Sequence, residues 1–444
     1  MRFLFITLLF SNFVLSSICQ QNHTLHPDKR WFKDAKYGVF VHWTLNVSHK
    51  DRERMPYEEF QIKCFDEAKK FTANNYDPKL WAKMFKSWGA KYVVLTTKHH
   101  LGFALYDSEY NQFTALKSTP ANRDLVREFC DAMRYEGIKV GLYFSLPDKF
   151  NYDYPTLVTQ NNGKEVIWQQ SDFVAWKRFT DNMLNEIKHL CTNYGRIDLF
   201  WFDGDWERNA DMWRSKEIVD TINKYQPWAV LNNRLRSANI GDFSTPEMVI
   251  PIDKRNGMWE LCTTLGYNWD GPESQKSIKK PSETVRILGD VITQGGNLLL
   301  NISPDYSGSI SQPQIKSMEL LGKWITEHAE AIYDTEQGLP LGLFNGGSTR
   351  RGSTIYLIAY ETAPELVLKN IEGEIESIVH LKSGKHLTWR NMDDYHSDNN
   401  RKGWRFISLP TNLIEPYATV LKITFKDKKV KVKKHDGTYL EWKE

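Results

Sequence analysis

The stretch DLFWFDGDWE, residues 198–207, decides how the chain reads. Leu199 to Phe202 are apolar at successive positions, with no polar alternation. A run of that kind suits a strand covered on both faces, as in a parallel sheet. Asp203 then falls where the strand ends, and Gly204 lets the backbone turn. Barrel enzymes hold their reactive groups at the C-terminal ends of such strands. The plainer reading is an Asp that caps the following turn. The segments on either side have to separate the two.

Working outward, buried-strand segments recur in WFKDAKYGVFVHW (31–43), KYVVLTTKHH (91–100), KVGLYFSLPD (139–148), PWAVLNNR (227–234) and GGNLLLNISP (295–304). Helical patterns lie between them. DPKLWAKMFKSWG (77–89) is the clearest, with Asp77 as cap, Pro78 in the first turn and a terminal Gly89. Others cover 122–136, 171–194, 208–225, 281–293 and 312–330, whereas 237–280 is looser. Alternating strands and helices over this length predict a parallel α/β sheet, closed as a TIM-like (β/α)8 barrel, with an open doubly wound sheet as the alternative. No Gly-rich phosphate loop follows the first strand, which argues against nucleotide binding. Beyond about residue 340 the texture changes to short alternating runs such as STIYLIAY and TVLKITFK. These predict an antiparallel β-sandwich. The expected organisation is therefore a signal peptide at 1–19, a barrel at 20–338 and a sandwich at 339–444.

The N-terminal reading rests on Arg2, the apolar run FLFITLLFSNFVL and small residues before Cys19. The run is too short for a membrane span and suits a secretory signal, so the chain is expected to be secreted, lysosomal or periplasmic. Sequons occur at Asn22, Asn46 and Asn301, the last in an apolar strand pattern that leaves no room for a glycan. Cys64, Cys130, Cys191 and Cys262 are far apart and lack metal-ligand spacing; disulfides and free core thiols both remain open. A net charge of +3 on 444 residues gives no nucleic-acid surface. The basic run KDKKVKVKKH (426–435) reads as an edge strand guarded by Lys. Sixteen Trp residues, beyond those a core needs, suit stacking on the apolar faces of sugar rings.

The strand ends collect His42, Trp43, His99, His100, Tyr143, Trp201, Asp203 and Arg234, with Glu247 and Glu260 following. In a barrel these ends converge on one pocket. His, Tyr and Arg suit hydroxyl groups. His99 and His100 are adjacent, so on a strand they would point to opposite faces and could not simply share a metal ion; sugar binding is favoured over a metal. Glycoside cleavage needs two carboxyl groups, one to attack or activate water and one to protonate the leaving oxygen. Asp203 fits the first role. Glu247, in the loop-like TPE segment, and Glu260, after Trp259, both remain open for the second.

The motifs KYGVFVHW, TTKHH, RDLVREF, GLYFSL, DLFWFDG, LNNR, GDFSTPE, MWELCTT and GGNLLLNISP, in that order, resemble the α-L-fucosidases of glycoside hydrolase family 29. The resemblance spans the whole expected barrel. It implies removal of α-linked L-fucose from fucosylated glycans with retention of configuration, without cofactor or metal. Residue by residue it makes Asp203 the nucleophile, with Trp201 beside it. His42, His99, His100 and Arg234 become ligands of the fucose hydroxyls, and Phe40 and Trp269 an aromatic wall. In the subgroup with a GDF-TPE segment the acid/base is the residue matching Glu247; in the other it is the residue matching Glu260. The chain departs from the pattern at Leu101, where an acid is usual, and at Thr44, where Gly is usual. NVSHKDRERMPYEEF (46–60) replaces a Ser-x-x-Glu-Trp-Tyr region, and LGYNWDG (265–271) replaces SWGY. These departures bear on the rim and leaving-group side. They keep alive a fucose-binding protein without turnover, and a barrel glycosidase of other specificity. Homo-oligomer formation is left open.

Overall fold

Eight parallel strands form the sheet around which the chain winds. They are β1 (Tyr37–Val41), β2 (Tyr92–Lys98), β3 (Lys139–Ser145), β4 (Leu199–Asp203), β5 (Val230–Leu231), β6 (Phe243–Ser244), β7 (Met258–Thr264) and β8 (Asn297–Ile302). Their spatial order is β5-β4-β3-β2-β1-β8-β7-β6, and each neighbouring pair is parallel. The two ends of that order meet through one bridge, Asn232 to Phe243, which brings the sheet round into a barrel. The structure is a computed structural model and describes residues 26–155, 158–159, 165–166, 173–237, 240–252, 257–361, 363–392 and 403–444. The expected signal peptide, Cys19 and Asn22 lie outside the described residues.

Among the described residues seven helices of ten residues or more pack on the barrel: α1 (Tyr57–Ala68), α2 (Pro78–Ser87), α3 (Leu125–Tyr135), α4 (Phe173–Asn193), α5 (Ser215–Tyr225), α6 (Pro281–Thr293) and α7 (Gln312–Glu327). Their starts follow local chemistry. Asp77 accepts from the N–H groups of Lys79 and Leu80, and Asp124 from that of Arg127. Among the described residues no helix stands between β5 and β6 or between β6 and β7. The loose segment 237–280 is therefore loop and short strand. It is this departure from strict (β/α)8 alternation that leaves room for a pocket wall made of loops. No helix among the described residues is long and apolar enough to cross a membrane.

The period of two along each strand splits the apolar run of β4 between two cores. Leu199 and Trp201 face the barrel interior with Phe40, Tyr92, Val94, Tyr143, Cys262 and Leu299. Phe200 and Phe202 face outward, into the layer between strands and helices. That is why the run shows no alternation in sequence: both faces are dry. The same parity carries Asp203 to the inner side at the strand's end.

Antiparallel sheets follow, beginning with Glu336–Gln337, ahead of residue 339. One has five strands and two have three, and they enclose a second core that includes Leu357, Ile378, Leu421 and Trp442. The basic run departs from expectation. Lys429–Lys433 is the middle strand of its sheet, between Ile371–Glu372 and Tyr439–Lys443. Its lysines alternate with buried Val430 and Val432 because one face packs on the core while the other meets solvent and acids such as Glu441. The four cysteines of the described residues are free and buried.

Candidate active site

Asp203 ends β4 at the mouth of the barrel, and Gly204 turns the chain away at φ +80°. A Cβ at Gly204 would stand 2.2 Å from Pro147 Cδ, so only glycine fits. Asp203 is not a helix cap. Tyr143 Oη donates to its Oδ2 at 2.9 Å, and Arg234 Nη1 donates to its Oδ1 at 2.6 Å. His100 Nε2 lies 3.4 Å from Oδ2. Burial alone would raise the Asp203 pKa, but His100 and Arg234 outweigh it and hold the carboxyl well below the usual carboxylate range. Asp203 is thus an ionised, oriented carboxylate facing a pocket.

The pocket has a volume of about 430 Å³, enough for a monosaccharide and part of its aglycone. Its floor is aromatic. Trp201 stacks on Tyr143 with centroids 5.6 Å apart, and Phe40 contacts Trp201 at 5.1 Å and Trp269 at 6.1 Å. The Arg234 guanidinium lies over the Trp201 ring, 4.5 Å from its centroid. Around this floor stand His42, His49, His99, His100, Asp203, Glu247 and Asp270.

Hydrogen-bond partners set the tautomer of His42. Asn301 Nδ2 donates to the Trp269 carbonyl at 2.8 Å, which leaves Asn301 Oδ1 to accept from His42 Nδ1 at 2.6 Å. Burial lowers the His42 pKa to about 4, so near neutrality the ring is uncharged with its hydrogen on Nδ1. Nε2 is left as an acceptor at the pocket wall. His100 is oriented in the same way: Ser145 Oγ spends its hydrogen on the Pro147 carbonyl at 2.9 Å and therefore accepts from His100 Nδ1 at 2.7 Å. His99 has a strongly depressed pKa, first through burial and then through its histidine neighbours.

The two glutamates differ sharply. Glu247 lines the pocket, its side chain 42% exposed, and accepts from Arg234 Nη2 at 2.8 Å. Its loop is not free-swinging. Cys262 N–H donates to the Pro246 carbonyl and Met248 N–H to the Cys262 carbonyl, which fastens the segment along β7. Glu260 is fully buried in the barrel interior and absent from the pocket wall. Trp201 Nε1 donates to it at 2.9 Å and Tyr92 Oη also donates to it. Burial raises its pKa to about 7. It supports the Trp201 ring from below.

Of the residues singled out in the sequence, Phe40, His42, His99, His100, Tyr143, Trp201, Asp203, Arg234, Glu247 and Trp269 come together in this pocket. Trp43 does not. It has the parity of Tyr37, Val39 and Val41, so it faces the helix layer, against Phe71, Tyr76 and Trp81. His99 and His100 both line the pocket, contrary to the expectation of opposite faces. The strand ends at Lys98, after a register irregularity, and strict alternation no longer applies. Their ring centroids are 4.5 Å apart. Among the described residues no set of three His, Cys, Asp or Glu side chains is grouped to hold a metal. The sequence reading missed Asn301 as the partner of His42, although an Asn inside an apolar strand was the available signal. It also missed Trp206, His49 and Asp270 on the wall.

Comparison with known proteins agrees with this architecture. The model of the family described as Alpha-L-fucosidase matches residues 17–330. Tissue alpha-L-fucosidase of Homo sapiens is 31% identical over 86% of this chain and 85% of that protein. The Mus musculus tissue enzyme is 32% identical over 69% of this chain and 72% of its own length. Among solved structures, alpha-L-fucosidase isoenzyme 1 from Paenibacillus thiaminolyticus superposes with a TM-score of 0.79 at 30% identity, covering 90% of this chain and 99% of that one. A GH29 alpha-L-fucosidase from Bacteroides thetaiotaomicron, trapped as a covalent intermediate with 2-fluoro-fucosyl fluoride, gives a TM-score of 0.75 at 26% identity, over 90% and 96% of the two chains. With the barrel, the pocket at its strand ends and these matches in hand, the chain belongs to the alpha-L-fucosidase family of glycoside hydrolases, GH29.

Proposed function

We propose that the pocket takes the terminal α-L-fucose of a fucosylated glycan and releases it with retention of configuration. Asp203 attacks the anomeric carbon while Glu247 gives its proton to the departing oxygen. A fucosyl ester on Asp203 results. Water then attacks the anomeric carbon, gives its proton to Glu247 and frees the Asp203 carboxylate. The observation that carries this reading is Arg234, whose single guanidinium reaches both carboxyl groups, at 2.6 and 2.8 Å. Two carboxyls held by one small cation belong to the same reaction space. Asp203 has the charge a nucleophile needs. Glu247 is the solvent-reachable member, able to draw a proton and to meet the leaving group at the mouth. The trapped covalent intermediate of the Bacteroides thetaiotaomicron enzyme supports a double displacement.

His42, His99, His100 and Tyr143 surround the sugar's hydroxyls, and Phe40, Trp201 and Trp269 take its apolar face and methyl group. Arg234 steadies both carboxyl groups. Glu260 acts only through Trp201. The apolar N-terminal run supports delivery to a secretory or lysosomal compartment.

The test is turnover of an aryl α-L-fucoside by the wild type, Asp203→Ala and Glu247→Gln. Asp203→Ala should lose turnover and regain part of it with azide, giving fucosyl azide of inverted configuration. Glu247→Gln should be slowed far more on oligosaccharides than on fucosides with good leaving groups. Full activity of Asp203→Ala would refute the assignment. Fucose binding without turnover in the wild type would favour a binding protein instead.

A further inference from the structure

Three carboxylates line the pocket: Asp203, Glu247 and Asp270. Two are committed. Asp203 is held by Tyr143, Arg234 and His100, and Glu247 by Arg234. Asp270 has no side-chain hydrogen-bond or ion-pair partner among the described residues, and its carboxyl accepts only from its own backbone N–H. Burial holds its pKa above the ordinary value, and the side chain whose charge acts most on it is His100. A partly buried, under-bonded carboxylate is costly unless something donates to it.

Its place is built rather than accidental. The preceding residue, Trp269, is anchored through its carbonyl by Asn301 Nδ2 at 2.8 Å. The following residue, Gly271, backs onto Asn46: a Cβ there would lie 3.2 Å from Asn46 Oδ1. The same pocket wall includes His49, whose ring meets that of His100 edge-on at 5.5 Å and whose nitrogens have no partner among the described residues. Asp270 belongs to LGYNWDG and His49 to NVSHKDRERMPYEEF, two segments in which this chain departs from the family pattern. The 46–60 segment brings Asn46, Val47, Ser48 and His49 to the pocket but no carboxylate.

We propose that Asp270 is a specificity-determining residue that accepts a hydrogen bond from a hydroxyl of the sugar in the pocket. A ligand hydroxyl supplies the donor that the surrounding side chains do not, and a carboxyl acceptor makes a strong bond to it. A sugar without that hydroxyl leaves the partly buried carboxylate unpaired, so it binds more weakly. The identity of the sugar as fucose rests on the reading given above; the role of Asp270 does not depend on turnover.

Calorimetric binding of L-fucose, 3-deoxy-L-fucose and 4-deoxy-L-fucose to the wild type, Asp270→Ala and Asp270→Asn tests it. The wild type should bind one deoxy sugar roughly 10- to 100-fold more weakly than fucose, the range for a hydrogen bond to a charged group. Asp270→Ala should bind fucose that much more weakly, and should no longer distinguish that deoxy sugar from fucose. Asp270→Asn, which keeps an acceptor oxygen, should fall between. A purely structural role would weaken all sugars equally, so losses that multiply for both deoxy sugars overturn the role of Asp270 while leaving the fucosidase reading intact. A wild type that neither binds fucose nor cleaves an aryl fucoside overturns both.

Discussion

Glu260→Gln should make this protein more resistant to heat at neutral pH relative to the wild type, while leaving the relation unchanged in acid. Glu260 is fully buried, and burial raises its pKa from an ordinary 4.5 to about 7. The folded chain therefore keeps the proton over a range in which the unfolded chain releases it. The stability tied to that proton is complete below about 4.5 and is lost as the pH rises through about 7. A shift of this size corresponds to ~3 kcal/mol at most, since one unit is about 1.4 kcal/mol. Gln cannot ionise; its oxygen still accepts from Trp201 Nε1–H, and its amide nitrogen donates to Tyr92 Oη, whose hydroxyl turns from donor to acceptor there. The penalty therefore disappears with little change in packing. The assay is the midpoint of thermal unfolding for both proteins at several pH values from 4.5 to 8. The difference, variant minus wild type, should rise by roughly 3 °C across that range. A difference that stays flat with pH would refute the reasoning, because it would mean that Glu260 does not change protonation between the folded and unfolded chains. Near-normal kcat in the same variant is expected too, because Glu260 does not reach the pocket.

Three further outcomes follow from the geometry. Asn301→Ala frees the His42 ring, and kcat/KM for an aryl fucoside should fall by roughly 10-fold, the effect of one lost and one unsatisfied buried hydrogen bond; an unchanged value removes Asn301 from the site. In the wild type, kcat/KM should fall as the pH drops through about 4, where His42 takes a proton on Nε2 and stops accepting; a pH profile with no acid limb near that value contradicts the tautomer assigned here. Trp43→Ala should destabilise the chain by ~3–5 kcal/mol in urea unfolding, the cost of emptying a large buried aromatic site, with KM unaffected below the unfolding transition; a selective rise in KM would return Trp43 to the pocket.

What could be read along the chain was local and periodic. The unbroken apolar run before Asp203 is the mark of a strand dry on both faces, and such strands need parallel neighbours and covering helices. The cap at Asp77 and the polar residues ending each strand are equally local. The readings that failed all depended on a face or a neighbour. Trp43 adjoins His42 in sequence, but one step along a strand reverses the side chain, and only the register of β1 shows that His42 faces inward and Trp43 outward. His99 and His100 share a pocket because β2 stops one residue before them, an event set by its pairing with β3. The Lys-rich strand became a middle strand because Ile371–Glu372, far back along the chain, pairs on the side opposite its hairpin partner Tyr439–Lys443.

The sequence by itself determined the class of fold, the strand ends that carry His42, Asp203 and Arg234, and a short set of carboxyl candidates. These follow from hydrophobic periodicity and from chemistry that travels with a single residue. The tertiary structure alone decided that Glu247 stands in the open pocket while Glu260 lies sealed beneath Trp201, since burial and partners are properties of the surroundings. It alone paired Asn301 with His42, 259 positions away, and left Asp270 on the pocket wall with no side-chain partner among the described residues. A carboxyl group's charge, reach and work depend on what is packed around it, and that is assembled only when distant strands close into a barrel.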